Sequence, residues 1–420
     1  MSSLVQRDSK VIWHPFTPQK NRKDVTAIVQ GKGTLLFDEN NKSYIDAISS
    51  WWVTLHGHGH PYIAEKLYRQ ALQLEQVIFA GFTHQPAVEL AERLLKKLPD
   101  HFARIFYSDN GSTSTEVAIK MSIQYWWNKG EKQRKKIIAF NNSYHGDTFG
   151  AMSVSDRSVF TLAFHDVLFD VLFIDTPTKE NIGHLKETIQ KESNTIAAFI
   201  FEPLVQGAGG LKMYDGSLLD ELLNFIQKEN IICIADEVMT GFYRTGKLFA
   251  SEYLQIQPDI ICLSKGLTGG TMALGVTACT DKIYQAYVTD DKLKTFFHGH
   301  SFTANPLACT AALASLDLLE QDSVISNIQS IIERNKTFAD HLSQTKENIK
   351  NIRTLGTLLA FEVTEGKDEY LNNISNIITE QALQLGVYLR PLGNTVYIMP
   401  PYCITESELN KVYEVIEKII

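Results

Sequence analysis

The sequence predicts an α/β protein built on a mostly parallel sheet, and three observations carry that expectation. IAAFIF (196–201), IICIA (231–235) and DIICLS (259–264) are continuous apolar runs, which read as strands covered on both faces. Segments with helical spacing, Ser114 to Trp127 and Ser217 to Glu229, lie between such runs. Polar and glycine-rich motifs follow the strands directly, and in sheets of this kind ligands sit beyond the carboxyl ends of the strands.

The elements follow in chain order. GTLLFDENNKSYIDAI (33–48) reads as two short strands around an Asn-rich turn. Helical patterning runs from about Ile63 to Leu98, broken near Gly81 to Pro86. RIFYS (104–108) and KKIIAF (135–140) add strands ahead of the three buried runs. After about Asp317 the texture changes: helical segments to Ser343 give way to short strand-like pieces, LLAFEV (358–363) and VYIMP (396–400). The expected organisation is a large domain over residues 50–317 and a smaller α+β domain built from both chain ends, 1–49 and 318–420.

Length and composition agree with two domains. The chain has 420 residues, and single cores stop growing at roughly 250–300. A formal net charge of -8 without a long Lys/Arg run argues against nucleic acid as the main partner. The one basic cluster, Lys132 to Lys136, reads as a solvated helix end or loop. The five cysteines form no CxxC pair, which disfavours a zinc or redox site, and Cys233 and Cys262 read as small buried hydrophobes. The start, MSSLVQRDSKVIWHP, lacks the apolar core of a signal peptide, and no apolar run approaches a membrane span. A reduced, cytoplasmic protein without membrane contact is expected.

Four motifs carry chemistry. Lys265 ends the apolar run DIICLS and precedes GLTGG; a lysine at the mouth of a buried strand is costly unless it is paired or used. The chemical reading is an aldehyde-capturing amine, the bland one a surface turn. Asp236 ends IICIADEV, where a carboxylate can hold a proton on a pyridine nitrogen or merely cap a turn. SDNGSTSTE (108–116) follows a strand and opens a helix, so Gly111, Ser112 and Thr113 offer N–H groups and hydroxyls to a phosphate, alongside an ordinary capping role. In NNSYHGDTFGAMS (141–153), Tyr144 can stack on a flat ring. Metal binding by His145 with Asp147, or by His56, His58 and His60 in HGHGHP, lacks further ligands at usable spacing, so no metal is expected. A phosphate cup, a stacking Tyr, a strand-end Asp and a strand-end Lys in that order together describe a pyridoxal 5'-phosphate site.

The succession SDNGSTSTE, SYHGDT, FEPLVQGAGG, ADEVMTGFYRTG and LSKGLTGG resembles the class III, fold-type I aminotransferases across nearly the whole chain. Within that family, WHPFT (13–17), the pair Trp51-Trp52 and HGHSFTANPLACTAALASLDLL (298–319) are similar to the branch that aminates 8-amino-7-oxononanoate to 7,8-diaminononanoate for biotin synthesis. The resemblance implies a seven-stranded large sheet and a homodimer with shared active sites. It implies Lys265 as the Schiff-base lysine, Asp236 at the pyridinium nitrogen, and Tyr144 stacking on the cofactor or lining its pocket. Gly111 and Ser112 would hold phosphate, joined by Ser301 of the partner copy, with His145, Glu202 and Gln206 near the ring. Phe16, Trp51, Trp52, Asp147, Arg244, Gly299 and Arg390 would line the substrate pocket, Arg390 meeting the acceptor's carboxylate. Position 16 is commonly Tyr in members that use S-adenosylmethionine, so Phe16 leaves L-lysine open as the donor. A general ω-aminotransferase, an aminomutase and a catalytically silent cofactor-binding protein are the rival readings.

Overall fold

The computed structural model describes residues 3–20, 25–364 and 374–420. Its centre is a seven-stranded sheet in the order Phe102–Ser108, Gly275–Thr280, Ile260–Leu263, Ile232–Asp236, Ile196–Phe201, Lys136–Phe140, Val171–Ile174. Gly275–Thr280 runs antiparallel to both of its neighbours, and the other neighbouring pairs are parallel. Every residue of Ile196–Phe201, Ile232–Asp236 and Ile260–Leu263 is buried. That is why these strands are apolar without alternation: helices cover both faces of the sheet.

Two of the seven strands, Val171–Ile174 and Gly275–Thr280, were not expected from the sequence. The helical stretch expected over Ile63 to Leu98 is two helices, Pro61–Gln73 and Gln85–Lys97, with a longer break between them than the expected one. Each carries a proline in its first turn, where a missing N–H costs nothing. The basic cluster is not wholly solvated. Arg134 is buried, donating to Glu131 Oε2 and to the carbonyls of Ser193 and Ile196, with its guanidinium 4.3 Å from the Trp126 ring centroid. Cys233 and Cys262 are fully buried, and all five cysteines are free.

The chain ends meet. Ile28–Lys32, Leu35–Asp38 and Ser43–Asp46 form an antiparallel meander, and Val387–Tyr388 adds in parallel beside Ser43–Asp46. A second antiparallel sheet joins Ile349–Leu355, Leu358–Val363 and Thr395–Ile398. Helix Asp322–Thr345 packs on the first two of these strands. Among the described residues no helix is long and apolar enough to cross a membrane.

Candidate active site

Because the strands of the large sheet are parallel save one, the residues that follow them collect along one edge. Asn110-Gly111 follows Phe102–Ser108, Tyr144 follows Lys136–Phe140, Glu202 follows Ile196–Phe201, Asp236 ends its own strand, and Lys265 comes two residues after Leu263. Gly111, Ser112, Tyr144, His145, Asp147, Glu202, Asp236 and Lys265 line a single cavity of about 620 Å³.

Lys265 sits in a strained turn. Its φ is +45°, left-handed backbone that costs a non-glycine residue about 1–2 kcal/mol. Contacts from several elements hold it there. Ser264 Oγ donates to the Leu274 carbonyl at 2.7 Å, and Ser315 Oγ, itself 3.0 Å from His56 Nε2, donates to the Gly266 carbonyl at 3.4 Å. Gly269 is required: a Cβ there would stand 2.8 Å from His56 Cδ2, and its φ is +62°. Thus His56 supports the lysine turn. His58 bonds Asp46 at 2.9 Å, His60 packs edge-on to His56, and among the described residues no cluster suits a metal ion. Desolvation lowers the Lys265 ammonium from its ordinary range to about 8, against the upward pull of Asp236 and Glu202 and with a further downward push from Arg244.

Asp236 is anchored at both oxygens. Oδ1 accepts the Val238 N–H at 3.0 Å, and Oδ2 lies 2.7 Å from His145 Nδ1. Against a carboxylate that nitrogen is the donor, which fixes the imidazole tautomer. Among the described residues His145 Nε2 is buried without a hydrogen-bond partner, and the ring's polar contact is the one to Asp236. Glu202 accepts N–H groups from Tyr144 at 3.1 Å and Gly207 at 2.8 Å; burial nevertheless raises its carboxyl to about 7. Burial also pushes the Tyr144 phenol up, reinforced by the Asp147 carboxylate to which it hydrogen-bonds. Gln206 donates to the Asn141 carbonyl at 2.7 Å and so braces the turn that leads to Tyr144.

The remaining wall is the start of helix Gly111–Asn128. Asn110 caps it, accepting the Thr113 N–H at 2.9 Å. The N–H groups of Gly111 and Ser112 precede the helix's own bonding and point out of its positive end. A Cβ on Gly111 would approach Val238 Cγ1 to 2.7 Å, and one on Gly146 would come within 2.2 Å of Ser112 Oγ. Both glycines therefore let backbone close around this corner.

A second, apolar chamber of about 320 Å³ adjoins the first, sharing Trp52, Val53, Tyr144, Asp147, Ala208 and Lys265 with it. Phe16, Trp51, Phe160 and Leu392 complete it. Phe16 meets Trp51 edge-on at 5.3 Å, while Arg390 lines neither chamber itself and reaches the apolar one through Trp51, its guanidinium 4.8 Å from a Trp51 ring centroid. Arg244 does not line either chamber: it is buried behind the wall, donating to the carbonyls of Pro400 at 2.9 Å and Trp52 at 3.4 Å. Gly299 and Ser301 lie outside both chambers of this chain, on a segment that exposes Phe297 and Phe302. Sequence reasoning passed over Tyr397, whose hydroxyl accepts the Trp52 Nε1–H at 2.9 Å; no local pattern links residues 345 apart.

An amine of lowered proton affinity, a fixed buried carboxylate and a helix N-terminus around one cavity define a site for a phosphorylated aldehyde, and residues 17–420 match the class-III aminotransferase family, to which the chain belongs. Enzymes of this family are pyridoxal 5'-phosphate-dependent transaminases, and an amine transaminase from an uncultivated Pseudomonas species, solved in its pyridoxal-phosphate-bound form, is 29% identical with a TM-score of 0.91 over 97% of this chain and 98% of its own. More specifically, the chain is similar to the adenosylmethionine-8-amino-7-oxononanoate aminotransferase of Synechococcus elongatus, 44% identical over 97% of this chain and 98% of that protein. It is also similar to the crystal structure of the enzyme of that name from Methanocaldococcus jannaschii, at 34% identity and a TM-score of 0.93 over 99% and 98% of the two chains. The residues present fit the cofactor: the glycine-lined helix start suits its phosphate, Asp236 its ring nitrogen and Lys265 its aldehyde.

Proposed function

We propose that this chain is a cytoplasmic enzyme that transfers an amino group to 8-amino-7-oxononanoate, giving 7,8-diaminononanoate for biotin synthesis, with S-adenosylmethionine as donor. The observation that carries the reading is the joining of two chambers through Lys265. The polar one suits pyridoxal phosphate. The other is walled by Trp51, Trp52 and Phe16 with Arg390 against Trp51, and suits a long methylene chain ending in a carboxylate. Relatives named for that acceptor span nearly the whole chain.

When bound, pyridoxal phosphate supplies an aldehyde that joins to amines and a ring that delocalises the electrons left when a neighbouring carbon loses its proton. The chain's own residues do the rest. Lys265 Nζ would hold the cofactor's aldehyde and, when free, would serve as the base and acid that moves a proton at the substrate carbon. Its lowered proton affinity leaves a useful neutral fraction near neutral pH. Asp236 would face the ring nitrogen and favour its protonated form, and His145, 2.7 Å from Asp236 Oδ2, keeps that carboxylate aimed. Gly111 and Ser112 would hold the cofactor's phosphate, Tyr144 would stack on the ring or wall it, and Glu202 fixes the Tyr144 backbone. Arg244 acts from behind, holding the Trp52 carbonyl.

Two copies assemble on this reading, with residues 50–317 as the cofactor-binding unit and 1–49 with 318–420 as the second. Exposed Phe297 (73%) and Phe302 (61%) flank Gly299 and Ser301, a surface that suits burial against a second copy and delivery of Ser301 to its phosphate. L-Lysine is the second reading for the donor, favoured by one observation: Phe16 brings a ring without a hydroxyl to the apolar chamber. A donor screen with 8-amino-7-oxononanoate as acceptor tests the proposal. Turnover with adenosylmethionine is expected; turnover of ornithine or 4-aminobutyrate with other acceptors but none with the oxononanoate would defeat it.

A further inference from the structure

Three side chains connect the C-terminal sheet to the reactive amine. Tyr397, in strand Thr395–Ile398, is buried and accepts the Trp52 indole N–H, with the two rings edge-on at 6.1 Å. The indole in turn carries Lys265 Nζ 4.6 Å from a ring centroid. Trp52 has φ +68°, a backbone conformation that bulky residues avoid. The surrounding structure holds this backbone against its preference, and Tyr397 is a hydrogen-bond partner of the ring it carries. An aromatic face attracts a cation, most of all where water is excluded, and an N–H engaged with an oxygen polarises the indole in the sense that strengthens this attraction.

The other groups around the amine act on its charge without touching it. Asp236 and Glu202 favour the ammonium and Arg244 opposes it, while Tyr144, His145 and Asp147 line the same cavity. Among the described residues Lys265 Nζ makes no salt bridge, and the Trp52 face is its close cationic contact.

We propose that Tyr397 is a positioning residue for Lys265: it fixes the Trp52 indole, and the indole face docks the Lys265 ammonium whenever that nitrogen is free and protonated. The proposal rests on Lys265 being the aldehyde-capturing amine. Docking keeps the proton-bearing nitrogen facing the cavity during the interval between its release and its return.

The test uses the full chain stripped of its cofactor and follows pyridoxal phosphate capture by visible absorbance across pH. The midpoint of the rate profile reports the proton affinity of Lys265. Trp52→Phe weakens the platform and Tyr397→Phe loosens it, so each is expected to lower the midpoint, by roughly 0.3–1 pH unit. Since Tyr397 acts through the indole N–H, the double variant should sit where Trp52→Phe alone sits. An unchanged midpoint in Tyr397→Phe, or two shifts that add, overturns the proposal. Should Tyr397→Phe prove unstable, an unchanged midpoint in Trp52→Phe overturns it as well. A Lys265→Ala chain that still captured the aldehyde would instead defeat the assignment of the amine itself, a separate and recognisable outcome.

Discussion

Raising the pH titrates the nucleophile of this site directly. Only a neutral amine attacks an aldehyde, and an ordinary lysine side chain loses its proton near 10.5. Desolvation brings Lys265 to about 8. At pH 7 the neutral fraction is then about one tenth, against about three in ten thousand for an unperturbed lysine, a gain of roughly 300-fold. The sign is fixed by the direction of the shift: capture by the stripped chain should accelerate about tenfold per pH unit below the midpoint and level off above about 8. Stopped-flow mixing with excess pyridoxal phosphate, read by visible absorbance, measures the profile. Asp236 pulls the proton affinity up, so Asp236→Asn should move the midpoint lower still. A profile still climbing towards 10.5 would refute the argument that burial activates this lysine.

Three further outcomes are expected. Asp236→Asn keeps the shape but removes the charge bonded to His145, and should cost roughly 10²–10³ in turnover with the cofactor still bound; a wild-type rate would remove Asp236 from the chemistry. Arg390→Ala should weaken the oxononanoate half-reaction by about 2–5 kcal/mol while sparing the donor half-reaction, and equal losses in single-turnover measurements of the two would make Arg390 structural. Phe16→Tyr adds one hydroxyl to the apolar chamber, a neutral hydrogen bond being worth about 0.5–1.5 kcal/mol. It should shift donor preference towards adenosylmethionine by about tenfold at most, measured by mixing the pyridoxal form with each amine separately. Conversion of the wild type by lysine alone would reverse the assignment of the donor.

What could be read in the sequence follows from burial. Ile196–Phe201 announces itself because all six residues face apolar packing. Gly275–Thr280 is equally buried but made of small and polar residues; Thr277 satisfies its hydroxyl on the Ser114 carbonyl, a partner invisible in the linear chain. Val171–Ile174 lies in DVLFDVLFID, where two similar apolar triplets compete for the same assignment. That Lys265, Asp236, Tyr144 and Gly111 would come together could be read ahead, because each follows or ends a strand and strand ends share an edge. Arg244 is drawn behind the chamber wall by carbonyl partners at Trp52 and Pro400, which come from distant segments that no local pattern links. Arg134 was read as solvated for the same reason, since its stacking on Trp126 depends on a helix and strand folding together.

The stretch from Tyr397 to Tyr402 closes the site from behind. Met399 accepts the Ser49 hydroxyl and donates its N–H to the Ala47 carbonyl; Tyr397 holds Trp52, Pro400 receives Arg244, and the Tyr402 N–H bonds the Leu55 carbonyl. A ribosome makes these residues well after Asp236 and Lys265, so the sheet with those two can form while the tryptophan wall still lacks its backing. A nascent or truncated chain ending before residue 395 would keep its carboxylate and its lysine yet lack the hydroxyl that steadies the indole beside them, so an early stop codon leaves an amine without its governor.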